Sequence, residues 1–281
     1  MPIINEEYNL PLERESPMDL ATILGITLGV SSLIIAFILE GGRIGMLIAV
    51  PAAIIVFGGT LGAVMAGFSL GELMLIPKLF KVILFSKPID ERALIEQIVE
   101  LAEKARREGL LYLENHLREI ESPFLRKGIQ LIVDGTDPEL VQNIMQIEMY
   151  AMQERHKVGQ ELFSQAGGYA PTMGIIGTVM GLIHVLGSLS TPESLGPAIA
   201  MAFTATLYGV SSANVIYFPI ATRLKGLSAK EETAYQMMIE GLLALQAGNN
   251  PILIRERLTA YLKPAHRQQP GQAGEEAYEA S

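Results

Sequence analysis

The apolar positions of this chain are bunched into long blocks. Four stretches carry no Asp, Glu, Lys or Arg at all: Leu20–Leu39, Ile44–Gly71, Leu162–Pro192 and Ser194–Thr222. A helix needs about 20 apolar residues to cross a hydrocarbon core about 30 Å thick. The four blocks therefore predict four membrane-spanning helices, grouped as two hairpins. Between the hairpins the pattern changes to helical periodicity. Asp90 stands as a cap before an apolar stripe at Ala93, Leu94, Ile98, Leu101, Ala102 and Ala105. Gly109 interrupts, Leu110–Ile120 repeats the helical pattern, and Pro123–Val133 reads as a short helix. Asp137-Pro138 is a cap followed by proline at the first helical position. From there the pattern runs unbroken through Glu139–Gln165 into the third span, and the fourth span continues through Arg223–Ala247. Leu73–Phe85, with Lys78 and Lys81 on one side, reads as an amphipathic helix lying in the inner interface.

The expected fold class is an all-α integral membrane protein. It has four transmembrane helices and a helical cytoplasmic domain formed by the 2–3 insert and the extensions of helices 3 and 4. Its segments are a disordered leader (1–17), a first hairpin (18–71), the insert (72–161), a second hairpin (162–222), a helical tail (223–267) and a disordered C-terminus (268–281). The first run is too long, and its leading residues too acidic, for a cleavable signal peptide. Orientation follows from basic residues. The Glu40–Arg43 link has one and the link near Gly187–Pro197 has none, whereas Glu72–Glu161 has twelve and the tail after the fourth span has seven. Both long segments, and both termini, are thus placed in the cytoplasm.

Composition sharpens this picture. Of 281 residues, 49% are hydrophobic and 18% charged, against about 25% charged in an ordinary soluble domain. The absence of cysteine excludes disulfides and thiol chemistry. The four histidines are scattered, and a net charge of −9 argues against nucleic acid. Ion-translocating proteins usually hold an ionisable side chain at membrane depth. These spans hold no carboxylate, so if the chain moves ions another polypeptide must supply it. The spans instead offer Thr60, Thr172, Thr178, Thr204 and Thr206, and the mid-span prolines Pro171 and Pro219. Threonine hydroxyls either coordinate a cation or bond carbonyls of their own helices. Each proline frees a backbone carbonyl and permits a hinge. Small residues recur at Gly167, Gly168, Gly174, Gly177, Gly181, Ala198, Ala200, Ala202, Ala205 and Gly209, which suits close packing in lipid and assembly with other subunits. His184 reads as an interfacial or packed histidine. The alternating charges from Glu100 to Glu121 read as a solvated helix surface.

Three motifs then make the chain recognisable: Ala105–Glu114 (ARREGLLYLE), Gly168–Leu182 (GYAPTMGIIGTVMGL) and Ala205–Gly209 (ATLYG). With the four-span layout, they resemble the MotA/PomA family, the A subunit of the bacterial flagellar stator. The resemblance covers Met18 to about Arg267. It implies a non-enzymatic, multi-pass protein of the bacterial inner membrane, in which five A subunits surround a dimer of the B subunit. The B subunit brings the ion-carrying aspartate and a peptidoglycan anchor. The resemblance implies that Arg106 and Glu114 engage the rotor protein FliG, and that Pro171 and Pro219 couple ion flow to conformational change. It implies that Thr178 and Thr206 lie on the ion path. Threonine at both positions, with Tyr208 in ATLYG, resembles sodium-type members, so transported sodium is favoured over protons and no cofactor is expected. An ExbB/TolQ-like energising subunit and a non-conducting membrane scaffold are the alternatives. Four spans and the Arg106/Glu114 motif argue against the first, and the paired prolines and threonines against the second.

Overall fold

A computed structural model describes residues 20–86, 89–187 and 192–264. The expected disordered ends, 1–17 and 268–281, lie outside them. Every regular element among the described residues is helical. Four of the helices are long and apolar enough to cross a membrane: Ala21–Leu39, Ile44–Gly67, Pro138–Gly187 and Leu195–Gln246. The described residues fall into two compact units, one within Met1–Lys87 and His156–Gly226, the other within Pro88–Arg155 and Leu227–Ser281.

In the first unit α1 (Leu20–Leu39) has no buried residue among 21–39, as expected of a helix whose surroundings are lipid or other chains. The EGGR link ends it: the Gly41 N–H bonds the Ile38 carbonyl at 2.9 Å and the Gly42 N–H bonds that of Phe37 at 3.0 Å. This paired closure needs a left-handed residue at its hinge, and Gly41 supplies it with φ +87°.

The second span is not one helix. It opens with a 3-10 turn (Ile44–Leu47), then extended backbone at Ile48 (φ −98°, ψ 90°) and Ala49 (φ −120°, ψ 94°). It resumes as α2 (Val50–Ala53), widens to a π turn (Ile54–Gly58) and ends in α3 (Gly59–Gly67). Ser69 and Glu72 then form a reciprocal capping box on α4 (Leu70–Leu73), and this bonding holds the Glu72 carboxyl below its ordinary pKa. The amphipathic helix expected over Leu73–Phe85 is broken at Met74–Leu75. Its main part is α5 (Ile76–Phe85), whose first turn carries Pro77, a residue with no N–H to continue an earlier turn.

The second unit holds the largest apolar core. Asp90 caps α6 (Glu91–Glu108) by accepting from Arg92 and Ala93 N–H groups at 3.0 and 3.1 Å. The apolar stripe of α6 is buried at Leu94, Ile98, Leu101, Ala102 and Ala105, joined by Ile95 and Val99, whereas Ala93, also expected in it, is exposed. Gly109 turns the chain at φ +87°. Leu110–Glu119 is then a 3-10 helix rather than the α-helix the spacing predicts. Leu113 is the residue of this segment that is fully buried, and partly buried Leu110 and Leu117 pack on the same core beside it. Ser122 caps α7 (Pro123–Val133), whose Phe124 ring stacks on Tyr235 with centroids 3.9 Å apart. Asp137 accepts from the Glu139 N–H at 2.9 Å at the start of α8 (Pro138–Gly187), a 50-residue helix.

The fourth span begins close to the expected start at Ser194: α9 (Pro192–Ser212) carries Pro197 inside it, and the apolar span runs from Leu195. A π turn (Ala213–Tyr217) leads into α10 (Phe218–Gln246). Pro219 has no N–H for the Val215 carbonyl four residues back, which accounts for wider winding just before it. Asn250 caps α11 (Pro251–Thr259), which Arg255 ties to Glu96 on α6.

Candidate functional site

The small residues noted in the sequence bring α8 and the fourth span into backbone contact. A methyl placed on Gly177 would meet Ala205 Cβ at 2.6 Å, and one on Gly181 would meet Ala202 Cβ at 2.6 Å. One on Gly174 would meet the Ala205 carbonyl oxygen at 2.9 Å. Approach this close requires the small side chains themselves.

Within that seam Thr178 and Thr206 meet. Their hydroxyls hydrogen-bond each other. Thr178 Oγ1 also lies 3.1 Å from the Gly174 carbonyl on its own helix and 3.0 Å from the Ala202 carbonyl on α9. Thr206 Oγ1 lies 3.5 Å from the Gly174 carbonyl. Gly174 and Ala202 are the residues four back from Thr178 and Thr206, so each hydroxyl reaches the carbonyl beneath the other. Two hydroxyls and two carbonyls thus form a four-oxygen cluster, half-buried between two apolar helices. Two hydroxyl protons cannot occupy every lone pair there. Such a cluster suits a hard cation, which prefers oxygen ligands. The reading in which both hydroxyls serve only their own helices is not the arrangement found.

The remaining threonines differ. Thr172 is exposed and donates to the Tyr169 carbonyl of its own helix at 2.7 Å. Thr204 is buried, donates to the Ala200 carbonyl at 2.9 Å and lies 3.5 Å from that of Met46. Thr60 is 2% exposed, and its hydroxyl has no hydrogen-bond partner among the described residues. Pro171 lies inside α8, which continues without interruption. It leaves the Gly167 carbonyl without its helical donor. A methyl on Gly167 would meet the Phe218 ring at 2.7 Å, so the stretch beneath Pro171 packs on the residue preceding Pro219. His184 is exposed.

Arg106 and Glu114 stand on either side of the Gly109 turn, Arg106 in the last turn of α6 and Glu114 on the 3-10 strap. Both are exposed, and neither side chain makes an ion pair among the described residues. Beside them lies one of the i,i+4 pairs expected of this charged surface, together with a histidine contact that the spacing did not show. Lys104 pairs with Glu100 at 2.9 Å, and His116 Nδ1 contacts Glu119 Oε2 at 2.8 Å. The bond from His116 holds the Glu119 carboxyl below the usual carboxylate range, and the bond to Glu100 raises the Lys104 ammonium. The sequence signal was the i,i+4 spacing of Glu100 and Lys104. The 3-10 winding that sets His116 beside Glu119 had none.

A model for the MotA/TolQ/ExbB proton channel family matches residues 116–237. The chain is 37% identical over 259 residues to Motility protein A of Bacillus subtilis, covering 92% of this chain and 96% of that protein. It is 38% identical over 250 residues to Chemotaxis protein PomA of Vibrio alginolyticus, covering 89% and 98%. Among solved structures, C. jejuni MotAB superposes with a TM-score of 0.85 at 31% identity, covering 90% of this chain and all of that one. The flagellar MotAB stator complex from Bacillus subtilis gives 0.83 at 37% identity, covering 89% and 98%.

Proposed function

We propose that this chain, which belongs to the MotA/PomA family within the MotA/TolQ/ExbB proton channel family, is the A subunit of a sodium-driven flagellar stator. The relatives are named Motility protein A and Chemotaxis protein PomA, the matched family is one of proton channels, and the matched structures are of MotAB, one of them a flagellar stator complex; this supports a non-enzymatic role for the chain in the bacterial inner membrane. In the proposed assembly five A chains surround a B dimer, which supplies the aspartate that these spans lack. Both termini and the insert face the cytoplasm. Ion flow turns the A ring, and Arg106 and Glu114 pass the motion to FliG.

The observation that carries the reading is the four-oxygen cluster at Thr178 and Thr206. A proton needs only a carboxylate and a water path. Sodium must exchange its hydration shell for several oxygens, and this seam places four together at the helix contact. Pro171 and Pro219 mark where each helix can bend, because each leaves a carbonyl undonated. Arg106 and Glu114 are exposed, opposite in charge and without an ion pair among the described residues, as an electrostatic contact with a partner requires.

The test is swimming of a deletion strain carrying this chain and its B subunit, at fixed pH with sodium varied. Swimming that needs sodium and survives a protonophore supports the reading. Swimming that persists without sodium and collapses with the protonophore overturns it in favour of protons.

A further inference from the structure

Pro51 lies in the first turn of α2, inside the second span. Lacking an N–H, it cannot serve the carbonyl four residues back, which is that of Leu47. The extended backbone at Ile48 and Ala49 deprives the Ala49 N–H of a helical acceptor as well. At membrane depth no water replaces such partners, and broken helices persist where neighbouring groups re-satisfy the backbone. Here one side chain does so twice. The Tyr208 hydroxyl donates to the Leu47 carbonyl, and it accepts from the Ala49 N–H at 3.2 Å. The Tyr208 ring stacks on Phe57, with centroids 6.0 Å apart. One turn earlier on α9, Thr204 Oγ1 approaches the Met46 carbonyl.

We propose that Tyr208 is a positioning residue: its hydroxyl splices the Pro51 break of the second span onto α9 and thereby sets the rotation of α9 that presents Thr206 to Thr178. Residues two apart on a helix point about 200° apart. Holding Tyr208 against the second span therefore turns Thr206 toward α8. The consequence for the ion path rests on the proposed role of the Thr178–Thr206 pair; the splice itself does not.

The experiment uses the full complex with the B subunit. Tyr208→Phe removes the hydroxyl and keeps the ring on Phe57, while Pro51→Ala restores an N–H and lets the helix run back through Ile48 and Ala49, so that the Leu47 carbonyl regains a helical donor. Tyr208→Phe is expected to speed hydrogen exchange of the peptide spanning residues 44–53 about tenfold and to raise the half-saturating sodium for swimming several-fold. Adding Pro51→Ala is expected to move both back toward the parent. Unchanged exchange in Tyr208→Phe overturns the splice, and so does a double variant no better than Tyr208→Phe alone. Exchange is read without ions. Exchange that moves and is restored as expected, in a motor indifferent to sodium, upholds the splice and overturns the sodium reading instead.

Discussion

Gly174 and Gly209 face each other so closely that neither can carry a side chain: a methyl on Gly209 would meet Gly174 Cα at 3.1 Å and the Ala170 carbonyl oxygen at 2.4 Å. The obstacle is backbone, which cannot swing aside as a side-chain tip can. Gly209→Ala should therefore push α9 off α8 and open the Thr178–Thr206 contact. Overpacking of this kind costs about 1–3 kcal/mol. Thermal unfolding of the purified complex should show a drop of several degrees. Gly168→Ala, where nothing lies within 4 Å, should not lower it, because alanine is the better helix former.

The hydroxyls rather than the shapes at the seam carry the proposed ion path. Thr178→Val keeps the volume and removes the oxygen; Thr178→Ser keeps the oxygen. Half-saturating sodium for swimming should rise about tenfold in the first and stay near the parent in the second. Thr172→Val should resemble the parent, because Thr172 bonds only its own helix. Equal defects in Thr172→Val and Thr178→Val would mean that the cluster has no special part.

The exposed charges at the Gly109 turn predict a partner contact. Arg106→Glu should impair swimming, and a compensating charge reversal on FliG should partly restore it. Such contacts weaken as salt screens them. Unchanged swimming and stator recruitment in the Arg106→Glu, Glu114→Lys double variant would remove the contact from the account.

The depressed Glu119 carboxyl makes a pH-dependent contribution to the 3-10 strap. A carboxyl whose folded pKa lies below its unfolded value stabilises above the unfolded pKa. That contribution is lost as pH falls through the lowered folded value. Glu119 is exposed, so the effect is small. The Tm gap between the parent and Glu119→Gln should be present at neutral pH and be lost as pH falls through and below the ordinary carboxylate range. A gap that persists once the carboxyls are fully protonated would contradict the His116 bond as its cause.

Much of this architecture is legible in the sequence because charge is excluded from membrane depth. The same logic of stops and caps located α6 and the start of α8, where Asp90 and Asp137 accept backbone bonds as their positions suggest; Ser122 caps α7 without having been singled out. The break at Ile48–Ala49 was hidden because no charge marks it, and Pro51 was its single cue. The 3-10 winding after Gly109 was hidden because Leu110 and Leu113 fit either period and Leu117 extends the α period. The small-residue spacing pointed to a close seam, but which hydroxyls meet in it depends on how α8 and α9 are turned. Tyr208 was visible as a motif residue, yet its bonds reach 159 and 161 positions back along the chain, beyond any local pattern.

Radioactive sodium uptake into liposomes distinguishes an ion path completed by the partner's aspartate from one this chain carries by itself. One set would hold this chain alone and another the chain with its B subunit, whose periplasmic plug is removed. Spans without a carboxylate, completed by the partner's aspartate, predict sodium uptake in the complex alone, reduced by Thr178→Val. Uptake by the pure A chain, or flux through the complex that follows the proton gradient regardless of sodium, would contradict it.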